Sequence, residues 1–218
     1  ALNAVHVLNG ALAALLPRDG RLRDELREGI APPSPEELAA WARLEAGADF
    51  YRRTWAEPSL DVHSLRAGAP GLMKTIVPAT AEAMLSMRLA PGQTLEQVVP
   101  AIELIVRDAV PAGAELELEL LAGCDPGRFD PAAPAIGLAA DAFERALGVR
   151  PAFVRSGGSL PIVPALAGRG IPTVLTGFDL PDGNIHAPNE RLLVAHLEAG
   201  VAAARALFVA WGQLPLRD

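Results

Sequence analysis

The sequence predicts an α+β domain over residues 1–123, an antiparallel sheet with helices on one face, followed by an α/β segment over residues 124–218. Three observations carry this expectation. Ala81–Leu89 and Glu115–Leu121 alternate with the two-residue period of a half-buried strand, on either side of an amphipathic helix. Cys124–Pro134, with three prolines, Gly127 and two aspartates, reads as a linker. Beyond it, short apolar stretches alternate with helical patterns, as in a parallel or mixed sheet.

In order along the chain, Leu2, Val5, Leu8, Leu12, Leu15 and Leu16 fall at helical spacing, and Pro17 closes the run. Ser34-Pro35-Glu36-Glu37 opens a second helix running toward Glu45. Ser34 is its N-cap, Pro35 its first residue, and the acids suit the first turn. Asp49–Trp55 reads as another short helix. Ser59–Leu65 alternates weakly, Thr75-Ile76-Val77 is β-like, and Ala81–Leu89 places Met84, Ser86 and Arg88 on one strand face. Pro91-Gly92 is a turn. Thr94 with Gln97 forms a capping box, and Val98, Ile102, Ile105 and Val106 give the following helix its stripe. After the linker come a helix at 132–147, a strand at 152–154, a helix near 160–167, a strand at 173–175 and a helix from Asn189 to Trp211. No internal repeat is visible.

Composition narrows the functional classes. The 218 residues suffice for one sizeable domain or two small ones. Half are hydrophobic and 21% charged, an ordinary globular mix. A net charge of −7 argues against a nucleic-acid partner, which needs a surplus of Lys and Arg to meet phosphates. Lys74 is the one lysine, and the abundance of Ala, Gly, Pro and Arg reads as codon bias. Cys124 has no partner for a disulfide or a cysteine-based zinc site and reads as a passive small residue. No run of 18 apolar residues exists, so no membrane span is expected. Ala1–Asn9 has no basic leader, and the chain opens inside an apparent helix without Met, which points to a fragment. A cytoplasmic location is expected.

Three patches have the residue types for chemistry. His186 lies in the polar stretch Gly183–Glu190 before a long helix; a helix N-terminus disfavours the imidazolium, and a neutral imidazole can bind a metal, or the ring can simply cap or pack. Arg155-Ser156-Gly157-Gly158-Ser159-Leu160-Pro161 follows a strand and precedes a helix. Its glycines let backbone N–H groups approach an anion and Ser159 adds a hydroxyl, though a plain turn has the same pattern. Lys74–Pro78 with Arg88 is the third; a half-buried Arg needs a carboxylate, internal or from a ligand. His6, His63 and His196 read as structural histidines. No H-x-D, H-E-x-x-H or G-x-S-x-G motif occurs, and Ser159, His186 and Asp179 or Asp182 lack the context of a serine-hydrolase triad.

Taken in order, KTIVPATAEAMLSMRLAPGQT, RSGGSLP after a helix ending at Gly148, and GNIHAPNE before a final helix resemble the carnosinase-like metallopeptidases, the family that also holds aminoacylases, succinyl-diaminopimelate desuccinylases and glutamate carboxypeptidases. The resemblance covers residue 58 to the end, and the helix at 3–16 resembles the one opening that family's lid domain. It implies that residues 1–123 are the lid, or dimerisation domain, and 124–218 the last part of a zinc-peptidase catalytic domain. It implies His186 as ligand to one of two zinc ions (manganese or cobalt being possible substitutes). Gly157, Gly158 and Ser159 would hold the substrate's carboxylate, and Thr75 and Arg88 would reach a partner's active site in a homodimer. The activity implied is metal-assisted amide hydrolysis of small peptides or N-acyl amino acids, with a glutamate as base and an Arg or His donor for the oxyanion.

The family's H-x-D pair, bridging Asp and catalytic Glu pair lie upstream of the lid and are not in this sequence, so the metal site here is incomplete. Ser156 stands where the dipeptidase pattern usually has Glu, and the stretch Asp19–Glu57 favours the larger dipeptidase branch. Two other readings fit the same residues: a non-catalytic dimerisation or peptide-binding module of degenerate peptidase origin, and a small-molecule α/β domain using Gly157-Gly158 as an anion cradle.

Overall fold

The computed structural model describes residues 1–16, 21–68, 71, 75–127, 129–156, 160–180 and 182–213. The chain divides into two compact units, one of residues 1–127 with 155–161 and the other of 128–154 with 162–218.

The first unit opens with α1 (Ala4–Leu15), capped by Asn3, whose side chain accepts from the Val5 N–H. After a short 3-10 turn (Asp24–Leu26) come α2 (Pro35–Trp41) and α3 (Gly47–Trp55), then β1 (Ser59–Ala67), β2 (Ala81–Arg88) and α4 (Leu95–Ala109). The α2 start forms as the sequence predicts. Ser34 Oγ accepts from the Glu37 N–H, and the Glu37 carboxylate accepts from the Ser34 N–H at 2.7 Å. Thr94 caps α4 by accepting from the Gln97 N–H, but Gln97 does not return the bond; its side-chain oxygen lies against Gly29 instead.

β1 and β2 pair antiparallel, from Ser59 opposite Arg88 to Ala67 opposite Ala81, with a bulge between Val62 and Ser64 that takes His63 out of register. The alternation in β2 is realised: Ala81, Ala83, Leu85 and Met87 are half-buried, while Glu82, Met84, Ser86 and Arg88 are exposed. Leu85 and Met87 pack under α1 and α4 on a core of Ala11, Leu15, Leu22, Leu26, Leu60, Ile105 and Val106. The helices thus cover one face of the sheet. A second, smaller core of Trp41, Tyr51 and Ala56 holds α2 against α3, with Trp41 and Trp55 packed edge to face at 5.6 Å.

Among the described residues this is a two-stranded sheet. In residues 115–121 Leu116 and Leu118 pack on the core and the glutamates are wet, but Leu120 and Leu121 are exposed, and the segment has no strand partner among the described residues. Burial alternation needs only an apolar surface to lie on; a strand needs a partner backbone for its N–H and C=O groups. Residues 75–77 are likewise irregular and exposed.

The second unit contains α5 (Pro134–Leu147), α6 (Ile162–Ala167) and α7 (Val194–Trp211). α5 and α7 pack together, with Ala139, Ala140, Ala142 and Phe143 buried on one helix and Ala203 and Ala210 on the other. Gly148 closes α5 in the left-handed conformation, its N–H bonded to the Glu144 carbonyl. Residues 152–154 and 173–175, expected as strands, are unpaired among the described residues, for the same lack of a neighbouring backbone. α7 is, by length and composition alone, apolar enough to cross a membrane. It nevertheless carries His196, Glu198 and Arg205 and buries its alanine stripe against α5.

Gln93 is the single buried polar side chain among the described residues. Its oxygen accepts from the Ala90 N–H at 2.9 Å, and its amide donates to the carbonyls of Leu26 and Glu28 at 2.9 and 3.0 Å. Gln93→Leu would leave three backbone groups without their partner, and it is expected to cost about 3 kcal/mol, read as a lowered urea midpoint with unchanged slope.

Glu57 joins the 3-10 turn to α3. Its side chain accepts from Arg27 at 3.1 Å and from Arg52 at 2.7 Å. Burial works to raise its pKa, but the Arg27 bond and the two guanidinium charges outweigh it and hold the group below the ordinary value of 4.5. A depressed carboxylate stabilises the fold above its unfolded pKa and stops doing so as pH falls through its folded one. Glu57→Gln is therefore expected to lower the melting temperature at pH 7. The gap from the parent should close as pH is taken below about 4.5; a gap that stays constant down to pH 3 would refute the ionic role.

Candidate functional site

The sheet face turned away from the helices is polar and open. β2 places Arg88, Ser86 and Met84 on it, as the alternation predicts. The bulge in β1 adds His63, whose Nε2 lies 2.6 Å from Ser86 Oγ. His63 is thus an exposed, hydrogen-bonded imidazole on the Arg88 face. The strand assignment was legible, but a bulge is not visible in a two-residue period. Arg88 is exposed, not half-buried. Thr75 is also exposed, on the irregular segment between the strands, and the nearby Pro78 carbonyl accepts from the Ala4 N–H at the start of α1. His6 is exposed on α1 and His196 half-buried on α7.

Gly157, Gly158 and Ser159 lie outside the described residues. The residue that leads into them, Arg155, is held firmly within the first unit. Its Nε and Nη2 donate to the two oxygens of Glu37 at 2.7 and 2.9 Å. Nη1 donates to the Ala31 carbonyl at 2.8 Å, and Nη2 to that of Pro32 at 3.1 Å. The side chain is only 18% exposed. Arg155 is thus a largely shielded arginine clasping a carboxylate. The pairing spans 118 residues of sequence, and no local pattern announces it.

In the second unit, His186 is exposed on a tight loop. Arg191 closes that loop, donating its N–H to the Gly183 carbonyl at 3.0 Å and its guanidinium to Asp182. A side chain at position 183 would run into the Asp179 carboxylate. Asn184, His186 and Asn189 have φ of 56, 61 and 62 degrees. Asn tolerates the left-handed region, whereas for His it marks a conformation imposed by its surroundings. The helix expected at Asn189 begins at Val194, because the left-handed Asn189 and the turn closed by the Glu190 N–H on the Ala187 carbonyl interrupt it. His186 is therefore more than a turn from the helix, beyond the reach of its dipole, which acts within the first turn. No group of three His, Cys, Asp or Glu that could hold a metal occurs among the described residues.

Residues 1–114 match the model of the M20 peptidase dimerisation domain. A curated relative is the cysteinylglycine-S-conjugate dipeptidase of Corynebacterium striatum, 29% identical over 159 residues, which are 71% of this chain and 34% of that protein. Two solved structures share the fold. The Saccharomyces cerevisiae dipeptidase Dug1p has a TM-score of 0.72 at 19% identity, over 99% of this chain and 50% of the other. Human carnosine dipeptidase 1 has a TM-score of 0.73 at 20% identity, over 96% and 49%. The chain thus spans about a third of that curated relative's length and about half of each solved chain.

Proposed function

The chain belongs to the M20 peptidase dimerisation-domain family, and from that premise we propose that it is the C-terminal part of a metal-dependent hydrolase of amide bonds in dipeptides or N-acyl amino acids. The observation that carries the proposal is the alignment with a protein named as a dipeptidase. At 159 residues it is longer than the family match of residues 1–114, so the likeness does not end with the dimerisation domain.

In this reading residues 1–123 are the lid and 124–218 the end of the catalytic domain, in a cytoplasmic homodimer joined through the lid. Thr75 and Arg88 face the substrate from the lid, and a guanidinium on an open sheet face is able to take a carboxylate or a developing oxyanion. The backbone at Gly157 and Gly158, with the Ser159 hydroxyl, holds the substrate carboxylate. His186 is one metal ligand. Two metal ions, zinc in the first instance, would polarise the scissile carbonyl and activate water. Since a zinc ion takes three or four protein ligands, the others and the general base come from outside the described residues.

The test is hydrolysis of alanylglycine and N-acetyl amino acids with added zinc or manganese. The complete polypeptide is expected to turn these over, and to lose activity on chelation and in His186→Ala. The 218-residue chain alone is expected to be inactive. Turnover by the chain alone that His186→Ala abolishes would overturn the division of ligands.

Arg88→Lys in the complete polypeptide separates the substrate role from a structural one. Lysine keeps the charge but not the planar, two-pronged donor geometry. Turnover is expected to fall about a hundredfold with little change in melting temperature. A lowered melting temperature with normal turnover per folded molecule would show that Arg88 serves the fold.

A further inference from the structure

The bulge in β1 is the irregular feature of the open sheet face. Val62 stands opposite Leu85 and Ser64 opposite Met84, so His63 is one residue more than the ladder needs. A bulge disrupts the ladder locally and re-aims a side chain. Here the re-aimed side chain is the imidazole, which joins Met84, Ser86 and Arg88 on the side away from the helices. Exposed side chains change rotamer freely. This one is tethered, because Nε2 lies 2.6 Å from Ser86 Oγ. Ser86 precedes Arg88 by two residues on the same strand face, a rise of about 7 Å.

The roles of the two ring nitrogens are linked. When the Ser86 hydroxyl donates to Nε2, the proton of the neutral ring stands on Nδ1, which is then a donor. The face so offers two kinds of donor, the Arg88 fork and the His63 Nδ1–H. Net charge alone would not hold an anion there. Asp61 stands opposite Ser86, and Glu82 pairs with Arg66 at 3.8 Å, so directed hydrogen bonds must do it. A carboxylate has about four acceptor positions, more than the two that one guanidinium fork fills. We propose that His63 is a second recognition residue beside Arg88, donating from Nδ1 to the carboxylate of a bound dipeptide. Ser86 is its positioning residue, setting the tautomer and direction of the ring. This rests on the reading of Arg88 as a residue that faces the substrate.

The experiment measures KM of the complete polypeptide for alanylglycine and for alanylglycinamide, which lacks the carboxylate. His63→Ala is expected to raise KM for the dipeptide about tenfold and for the amide less than about twofold, the scale of one hydrogen bond to a charged group. Two conservative variants separate recognition from a structural bridge. An asparagine amide nitrogen reaches the place of Nδ1, a glutamine nitrogen that of Nε2. His63→Asn is therefore expected to restore most of the dipeptide's affinity, and His63→Gln little of it. Ser86→Ala is expected to raise the dipeptide's KM about threefold, and to add nothing to His63→Ala, because it acts only through the ring. Restoration by glutamine and not by asparagine would show that the imidazole only ties β1 to β2, and would overturn the proposal. An unchanged dipeptide KM in His63→Ala, or equal increases for dipeptide and amide, would do the same. Arg88→Lys tells the two levels apart. If it weakens the dipeptide against the amide while His63→Ala does not, His63 has no part and the Arg88 reading stands. If neither variant does so, the carboxylate reading of Arg88 fails as well.

Discussion

The first unit is organised around one buried amide. Gln93 sits between β2 and α4, and an apolar pocket tolerates it only because both ends of the amide are bonded. Its oxygen fixes the turn that leaves β2, and its nitrogen gathers the carbonyls of Leu26 and Glu28 from a segment 65 and 67 residues earlier. That gathering brings two loops so close that a Cβ on Gly92 would strike the Gly29 carbonyl, and would lie 2.8 Å from the Ala31 nitrogen. Gly92, with φ of 95 degrees, is required on both counts. The order of the loop at 28–32 follows from this contact, and with it the carbonyls that receive Arg155.

A chain of dependence therefore runs from the core to the open face of the sheet. Gln93 ties the turn after β2 to the Leu26 and Glu28 carbonyls; α4 and α1 cover one side of the sheet, leaving Arg88, Ser86 and His63 on the other. The same loop and the α2 capping box hold Arg155. Glu37 serves two ends with one carboxylate, terminating a helix and neutralising a guanidinium. Such shared use is characteristic of charge-assisted bonds in partly shielded sites, where an unpaired charge would be costly.

The parts of the fold set by local chemistry were legible in the sequence. The Ser34 and Thr94 caps, the Gly148 terminator and the β2 alternation depend on residues within a few positions of one another. What could not be read depends on distant partners. Residues 115–121 have a strand's side-chain pattern without a strand's neighbour. Arg155 and Glu37 meet across 118 residues, a separation over which no local pattern can announce a pairing. At 189–193 a helical pattern was present, but the left-handed backbone at Asn189 overrode it.

The loop at 183–191 is held by contacts that the sequence pattern does not announce. A helix dipole cannot act on His186 across the residues that separate it from Val194. The constraint lies instead on the loop backbone. The Arg191 bonds close the loop, Gly183 is pressed against Asp179, and the histidine backbone is turned into the left-handed region. A conformation of that kind persists only where surrounding contacts over-determine it. It holds the exposed His186 on a loop whose closure is set by Arg191 and Asp182.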